Sequence, residues 1–94
     1  MIKEYIVEGS IKEWMLDNAE EIFVNVLEAC EKNLGTSEFV IMKIRTITGV
    51  TLFKVSNKTS VANALHKCEK FFVRVEDYEK AARCRDCSKL WESL

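Results

Sequence analysis

The sequence predicts an α+β domain in which a small antiparallel sheet packs with one long helix and a C-terminal pair of helices. Two segments rich in Val, Ile, Phe and Thr flank Thr48 and Gly49, a pattern typical of a β-hairpin. Elsewhere, apolar residues recur at three- and four-residue steps, the period of an amphipathic helix. Proline is absent and glycine occurs only three times, which suits long elements joined by short turns. We therefore expect a single domain over residues 1–94, with more helix than strand.

The N-terminal elements are predicted to be a short strand and a long helix. Apolar residues within positions 2–7 fit either a short strand or the lead-in to a helix, and we favour the strand. Ser10 and Glu13 form a capping-box signature, in which each side chain accepts a hydrogen bond from the other residue's backbone N–H. The apolar stripe that follows spans residues 11–34 and ends at Gly35, a typical C-terminal cap. These signals predict one continuous helix, and the strand is expected to join the sheet.

The middle and the C-terminal third are predicted to hold the hairpin and two further helices. The hairpin strands are expected at residues 38–47 and 50–56. Residues 57–60 supply a turn and a helix cap, and the stripe of the next helix runs over residues 61–75. A last helix is expected at about residues 77–91. No strong helix breaker separates these two helices, so one long helix is an alternative.

A run near the C-terminus combines an acidic helix start with an Ala-Ala pair and an Arg-Asp pair at fixed spacing. It resembles a UVR motif, the short helical hairpin shared by the UvrB and UvrC excision-repair subunits. The resemblance covers about residues 62–94, and Ser88 and Trp91 stand where the family usually carries a branched aliphatic and a leucine. The matching positions are Tyr78, Ala81, Ala82, Cys84, Arg85 and Asp86.

The resemblance implies a docking surface for another protein, because the family motif pairs with a partner motif and has no catalytic residues of its own. It implies that Arg85 and Asp86 orient the hairpin, that Cys84 is buried and that Cys87 is exposed. The same spacing also suits any tightly packed helical hairpin, since two alanines let another helix approach closely. The partner-binding residues implied are Tyr78, Ala81, Ala82, Cys84, Arg85, Asp86 and Trp91.

Charge is distributed unevenly along the chain. Residues 1–34 carry eight acids against three bases, whereas residues 39–68 carry five lysines and arginines and no acid. An alternative function is therefore a nucleic-acid or nucleotide module that binds phosphate through the basic hairpin and the following helix start. The purely structural interpretation is that Ser or Thr forms an ordinary helix cap and that the surface charge has no function. The candidate phosphate-binding residues are Lys43, Arg45, Lys54, Lys58, Thr59, Ser60 and Lys67.

Cysteine and histidine do not form a convincing catalytic or metal-binding set. Cys84 and Cys87 have the spacing seen in zinc and redox sites, but a second tight pair is missing. His66 and Cys68 are two residues apart and point to different sides of a helix. We expect reduced thiols, a surface position for His66, and no metal, cofactor or enzymatic activity.

Composition and length are typical of a small soluble module. Hydrophobic residues make up 48% of the chain and charged residues 31%, well away from disordered sequences. A chain of 94 residues leaves little room for a deep substrate cavity beside a core. No apolar stretch is long enough for a membrane span, and the N-terminus lacks the pattern of a signal peptide. We therefore expect a cytoplasmic protein with no membrane partner.

The leading hypothesis is a small non-enzymatic adaptor or regulatory protein that docks on a protein partner through its C-terminal helices. A third hypothesis, after the phosphate-binding module, is a phage-type effector that inhibits or redirects a host machine, by analogy with compact one-domain proteins of phages. The large aromatic side chains exceed what one small domain readily covers, which favours a homodimer. These are Trp14, Phe71, Phe72 and Trp91.

Overall fold

A computed structural model of the chain describes residues 2–94 and confirms the predicted α+β class. Four helices surround one side of a three-stranded sheet in the order β1-β2-β3, and helix exceeds strand as predicted. In chain order the elements are β1 (Lys3–Ile6), α1 (Ile11–Asp17), α2 (Ala19–Lys32), β2 (Phe39–Thr46), β3 (Gly49–Val55), α3 (Lys58–Arg74) and α4 (Tyr78–Glu92).

The sheet is mixed, so the prediction of an antiparallel sheet is wrong for its N-terminal strand. β2 and β3 form the predicted antiparallel hairpin, with Ile44 opposite Thr51. β1 pairs with β2 in parallel, with Tyr5 opposite Ile44. The physical reason is the connection between the two strands: it contains α1 and α2, and a helical crossover returns the chain to the same end of the sheet, as parallel pairing requires.

The predicted single N-terminal helix is divided at Asn18. The Asn18 side-chain amide donates a hydrogen bond of 2.8 Å to the carbonyl of Trp14, and its backbone N–H donates to the same carbonyl at 3.0 Å. Asparagine competes with helical hydrogen bonding in this way, and its backbone leaves the helical region with φ −118° and ψ 27°. α1 has no buried residue, whereas α2 buries one face against the core.

The C-terminal third forms two helices, which settles the alternative left open by the sequence. Glu76 has a φ of 63°, the left-handed conformation. The N–H of Glu76 donates to the carbonyl of Val73, and the N–H of Asp77 donates to that of Phe72, the two hydrogen bonds of a Schellman C-cap. Asp77 then caps α4 by accepting the N–H of Lys80 at 3.2 Å.

The core lies between the inner face of the sheet and helices α2, α3 and α4. Phe72, Leu27 and Ile44 are completely buried there. Asn25 is buried among them, and its amide donates a hydrogen bond of 2.6 Å to the hydroxyl of Tyr5. This bond ties β1 to α2 and satisfies a polar group that would otherwise be costly to bury.

None of the helices within residues 2–94 combines the length and the apolar content needed to cross a bilayer.

Candidate docking surfaces

The seven residues implied by the UVR-like run lie on two opposite faces of α4. Four of them face outward: Tyr78 is 62% exposed, Arg85 and Asp86 are exposed, and Ala82 is half-buried. The 3.6-residue period of the helix turns the other three toward the core. These inward residues are Ala81, Cys84 and Trp91, each at most 5% exposed.

The inward residues fasten α4 to the rest of the chain. The indole of Trp91 lies beside the ring of Phe39, with centroids 6.1 Å apart, and its N–H donates to the carbonyl of Cys30 in α2. Ala81 and Cys84 belong to the same hydrophobic core. The small Ala81 side chain allows α3 and α4 to pack closely as a hairpin. This inner face is occupied by the chain itself and is not available to a partner.

Charged contacts hold the flanks of α4 in place. The guanidinium of Arg83 binds both carboxylate oxygens of Glu31 in α2, at 2.6 and 3.3 Å. Arg85 lies 3.4 Å from the carboxylate of Glu69 in α3, whereas Asp86, its neighbour on the outer face, has no ion pair within residues 2–94. The outer face of α4 is thus a fixed surface with an exposed aromatic, a small residue and charges of both signs.

All four cysteines lie in the core, including Cys87, for which the predicted exposure is wrong. Cys87 is only 3% exposed, because one further turn of α4 brings it against α2 beside Cys84 and Trp91. Burial raises the pKa of Cys30 to about 12 and that of Cys87 to about 11. The neighbouring Cys84 thiol, and then burial, raise the pKa of Cys68. The hydrogen bond with Cys68 lowers the pKa of Cys84. Because all four thiols are buried, they nevertheless pack as small apolar side chains.

Metal-binding residues do not come together in the described part of the chain. Between residues 2 and 94, no group of three or more His, Cys, Asp or Glu side chains is placed to hold a metal ion. His66 is exposed on α3, as predicted, while Cys68 points into the core and donates a weak hydrogen bond to the carbonyl of Phe23 at 3.7 Å.

Two of the predicted phosphate-binding residues share the outer face of the sheet. Lys43 and Arg45 alternate along β2 with the buried Met42 and Ile44, so they point away from the helices. Arg45 lies 3.5 Å from the carboxylate of Glu4 on the neighbouring strand. Their neighbours on the adjacent strands are one charged residue, Glu4, and three apolar residues, Ile6, Val50 and Leu52.

The other candidate phosphate-binding residues lie elsewhere. Lys54 forms an ion pair of 3.1 Å with Glu38, and the ammonium of Lys58 donates to the carbonyl of Leu94. Asn57 caps α3 by accepting the N–H and the hydroxyl of Ser60, at 2.8 and 3.1 Å. Thr59 is exposed beside this cap, and Lys67 lies one helical turn beyond Asn63 on α3. The seven residues therefore do not form one continuous basic patch.

An apolar groove, which the sequence analysis missed, runs between α1, α2, β3 and α3. It consists of two adjoining depressions of about 440 and 460 Å³ that share Met15, Ile22 and Phe23. α1 forms one side of the groove without a fully buried residue, although Trp14 and Met15 pack partly against the core. The signal in the sequence was Leu16, an apolar residue of α1 that lines the groove and is 72% exposed.

The structure thus presents two candidate docking surfaces, the outer face of α4 and the apolar groove. The first was indicated by the sequence, and the second depends on tertiary structure. Comparisons of the chain with protein-family models, curated proteins and solved structures find no match, so both surfaces are argued from the chain's own residues and geometry.

Proposed function

We propose that the chain is a small non-enzymatic adaptor that docks on a protein partner through the outer face of α4. This face is defined by five residues that follow one side of the helix. The observation that supports it best is the exposure of Tyr78, at 62%, on a helix whose opposite side is fully engaged. The outer face comprises Tyr78, Ala82, Arg85, Asp86 and Lys89.

The chemistry of this face suits a helical partner. A tyrosine supplies a large contact area at a low cost in side-chain entropy, and tyrosine is enriched at protein interfaces. Ala82 lies one turn after Tyr78 and leaves room for a partner backbone to approach. Arg85 and Asp86 carry opposite charges at adjacent positions, so a partner with the complementary order of charges would be held in one register.

The anchoring of α4 supports the same proposal. Trp91 and Arg83 bind α2, and Arg85 contacts α3. A surface that is fixed before binding loses little conformational entropy when the partner docks. The resemblance to the UVR motif, whose family members pair helical hairpins, points to the same type of interaction.

The phosphate-binding alternative has weaker support. Its residues are distributed over the outer sheet face, the start of α3 and the groove, and three of the basic ones already contact an oxygen of the chain: Arg45, Lys54 and Lys58. Such a module would lose affinity steeply as salt is raised, because phosphate binding releases counterions. Binding of a protein partner through Tyr78 and Ala82 would be much less sensitive to salt.

The test is capture of the partner by matched variants. The tagged chain, Ala82→Arg and Ala62→Arg are each used for a nuclease-treated pull-down from native lysate, and bound proteins are quantified by mass spectrometry. Both alanines lie on helices, and Ala62 is exposed on α3 and is not one of the five residues of the proposed face. We expect Ala82→Arg to lose a stoichiometric partner that Ala62→Arg retains. Equal capture by an Ala82→Arg chain with an unchanged circular dichroism spectrum would contradict the proposal.

A further inference from the structure

The apolar groove is a second surface with a consistent chemistry, and it shares no residue with the outer face of α4. Its floor is formed by Met15, Ile22, Phe23, Val26 and Phe53. α1 forms one wall without burying any of its own residues, and α3 forms the other wall. An uncovered apolar surface lowers the solubility of a small domain. An apolar surface with a polar rim is typical of an interaction site.

The charged residues that line the groove all have one sign. None of the residues that line the two depressions is acidic, although the chain has 15 acids and 14 bases. The lining contains three lysines, and only Lys54 has an ion pair within residues 2–94, with the exposed Glu38. The groove therefore favours an apolar ligand that also carries negative charge.

The positions of the lysines indicate the kind of ligand. Lys12 lines only the depression beside α1, whereas Lys54 and Lys67 line only the one between β3 and α3. A ligand with a single carboxylate, such as a fatty acid, would engage one end of the groove and leave the other end unpaired. A ligand with several separated carboxylates would engage both ends.

We propose that the apolar groove binds an amphipathic helix of a partner protein whose apolar side chains are flanked by Asp and Glu. Such a helix places apolar anchors at positions i, i+3 or i+4, and i+7, which matches a groove with two joined apolar depressions. The outer face of α4 in a second copy of this chain does not fit this description, because it carries two bases, Arg85 and Lys89, against one acid, Asp86.

The experiment is a selection from a displayed library of 16-residue helical peptides with fixed leucine anchors and random flanking positions, using the whole chain as the target. We expect the selected peptides to be enriched in Asp and Glu at the flanks. The strongest binder is then labelled with fluorescein and titrated by fluorescence anisotropy against the chain and three variants. Leu16→Asp introduces a carboxylate into the groove at a largely exposed position, so the fold should persist.

Two lysines of α3 form a matched pair for the titration. Lys67 lines the groove, whereas Lys70 is exposed outside it. We expect Lys67→Glu and Leu16→Asp each to weaken binding at least tenfold, and Lys70→Glu to change it less than twofold. The proposal is overturned if no acidic enrichment occurs, if Lys67→Glu and Lys70→Glu bind alike, or if a fluorescent fatty acid displaces the peptide. A stable dimer that Leu16→Asp dissociates would assign the groove to a second copy instead.

Discussion

The indole N–H of Trp91 donates a buried hydrogen bond of 3.0 Å to the backbone carbonyl of Cys30. Cys30 lies in the last turn of α2, where carbonyls have no partner within the helix. A side chain near the end of α4 thus supplies the missing hydrogen-bond donor for a carbonyl at the end of α2. The two residues are 61 positions apart in the sequence. The bond fixes the orientation of α4 on which the proposed docking face depends.

Replacement of Trp91 by phenylalanine should destabilise the fold. The substitution leaves the buried Cys30 carbonyl without a donor, which costs about 1–3 kcal/mol. The measurement is urea unfolding, in which we expect Trp91→Phe to lower the midpoint urea concentration and to leave the m-value unchanged. Trp14→Phe is the control, because Trp14 is half-buried and makes no side-chain hydrogen bond within residues 2–94. Equal losses in the two variants would show that the hydrogen bond is unimportant.

Glu76→Gly should stabilise the chain. Glu76 holds a left-handed backbone conformation that costs a non-glycine residue about 1–2 kcal/mol. Part of this gain is offset by the greater freedom of glycine in the unfolded chain, so we expect a net gain of about 0.5–1 kcal/mol in the free energy of unfolding. Glu76→Val, which strains the same position further, should lower it. A loss of stability in Glu76→Gly would contradict the assigned cap.

The four thiols should be unreactive in the folded chain. Burial raises the pKa of Cys30 to about 12 and that of Cys87 to about 11, so these two thiols form almost no thiolate at pH 8. All four thiols, including Cys84 with its lowered pKa, are buried away from the reagent. With a chromogenic disulfide reagent, we expect the native chain to release no chromophore rapidly. In guanidinium, we expect all four cysteines to react and release it. Ser56→Cys places a thiol at an exposed position and should react within seconds. Rapid reaction of an unmutated native thiol would argue against the packing.

Asp77 should contribute a pH-dependent part of the stability. Hydrogen bonds from the Lys80 ammonium, at 2.9 Å, and then from its backbone N–H hold the pKa of Asp77 below its ordinary value of 3.8. The contribution is therefore complete above the unfolded pKa and is lost as pH falls through the lower folded value. Asp77→Asn keeps a capping side chain without the charge. The stability difference between the two proteins should be constant above about pH 5 and shrink below about pH 4, when followed by urea unfolding.

Local signals in the sequence predicted most of the elements. The Ser10 cap is present, with its hydroxyl accepting the N–H of Glu13 at 3.3 Å, and the hairpin around Thr48 and Gly49 lies where the β-rich segments placed it. The start of α4 at Asp77 also follows from short-range capping. These features depend on residues close together in the chain, which is why they can be recognised without tertiary structure.

The remaining features depend on context that the sequence does not display. Glu76 ends α3 at a position where glycine is usual, so no breaker was visible. Asn18 breaks a helix although asparagine also occurs inside helices, and the groove is lined by residues of several elements that are distant in the sequence. The parallel pairing of β1 and the burial of Cys87 depend on how distant elements pack.

The central claim, that the outer face of α4 contacts a partner, is tested most directly by site-specific photocross-linking in the native cell. A benzoylphenylalanine replaces Tyr78 in one variant and Ala62 in a second, both at exposed positions. We predict one discrete cross-linked protein from position 78 and none of the same mass from position 62. Cross-links from position 62 alone, or none from position 78 in a chain that still captures its partner, would contradict the claim.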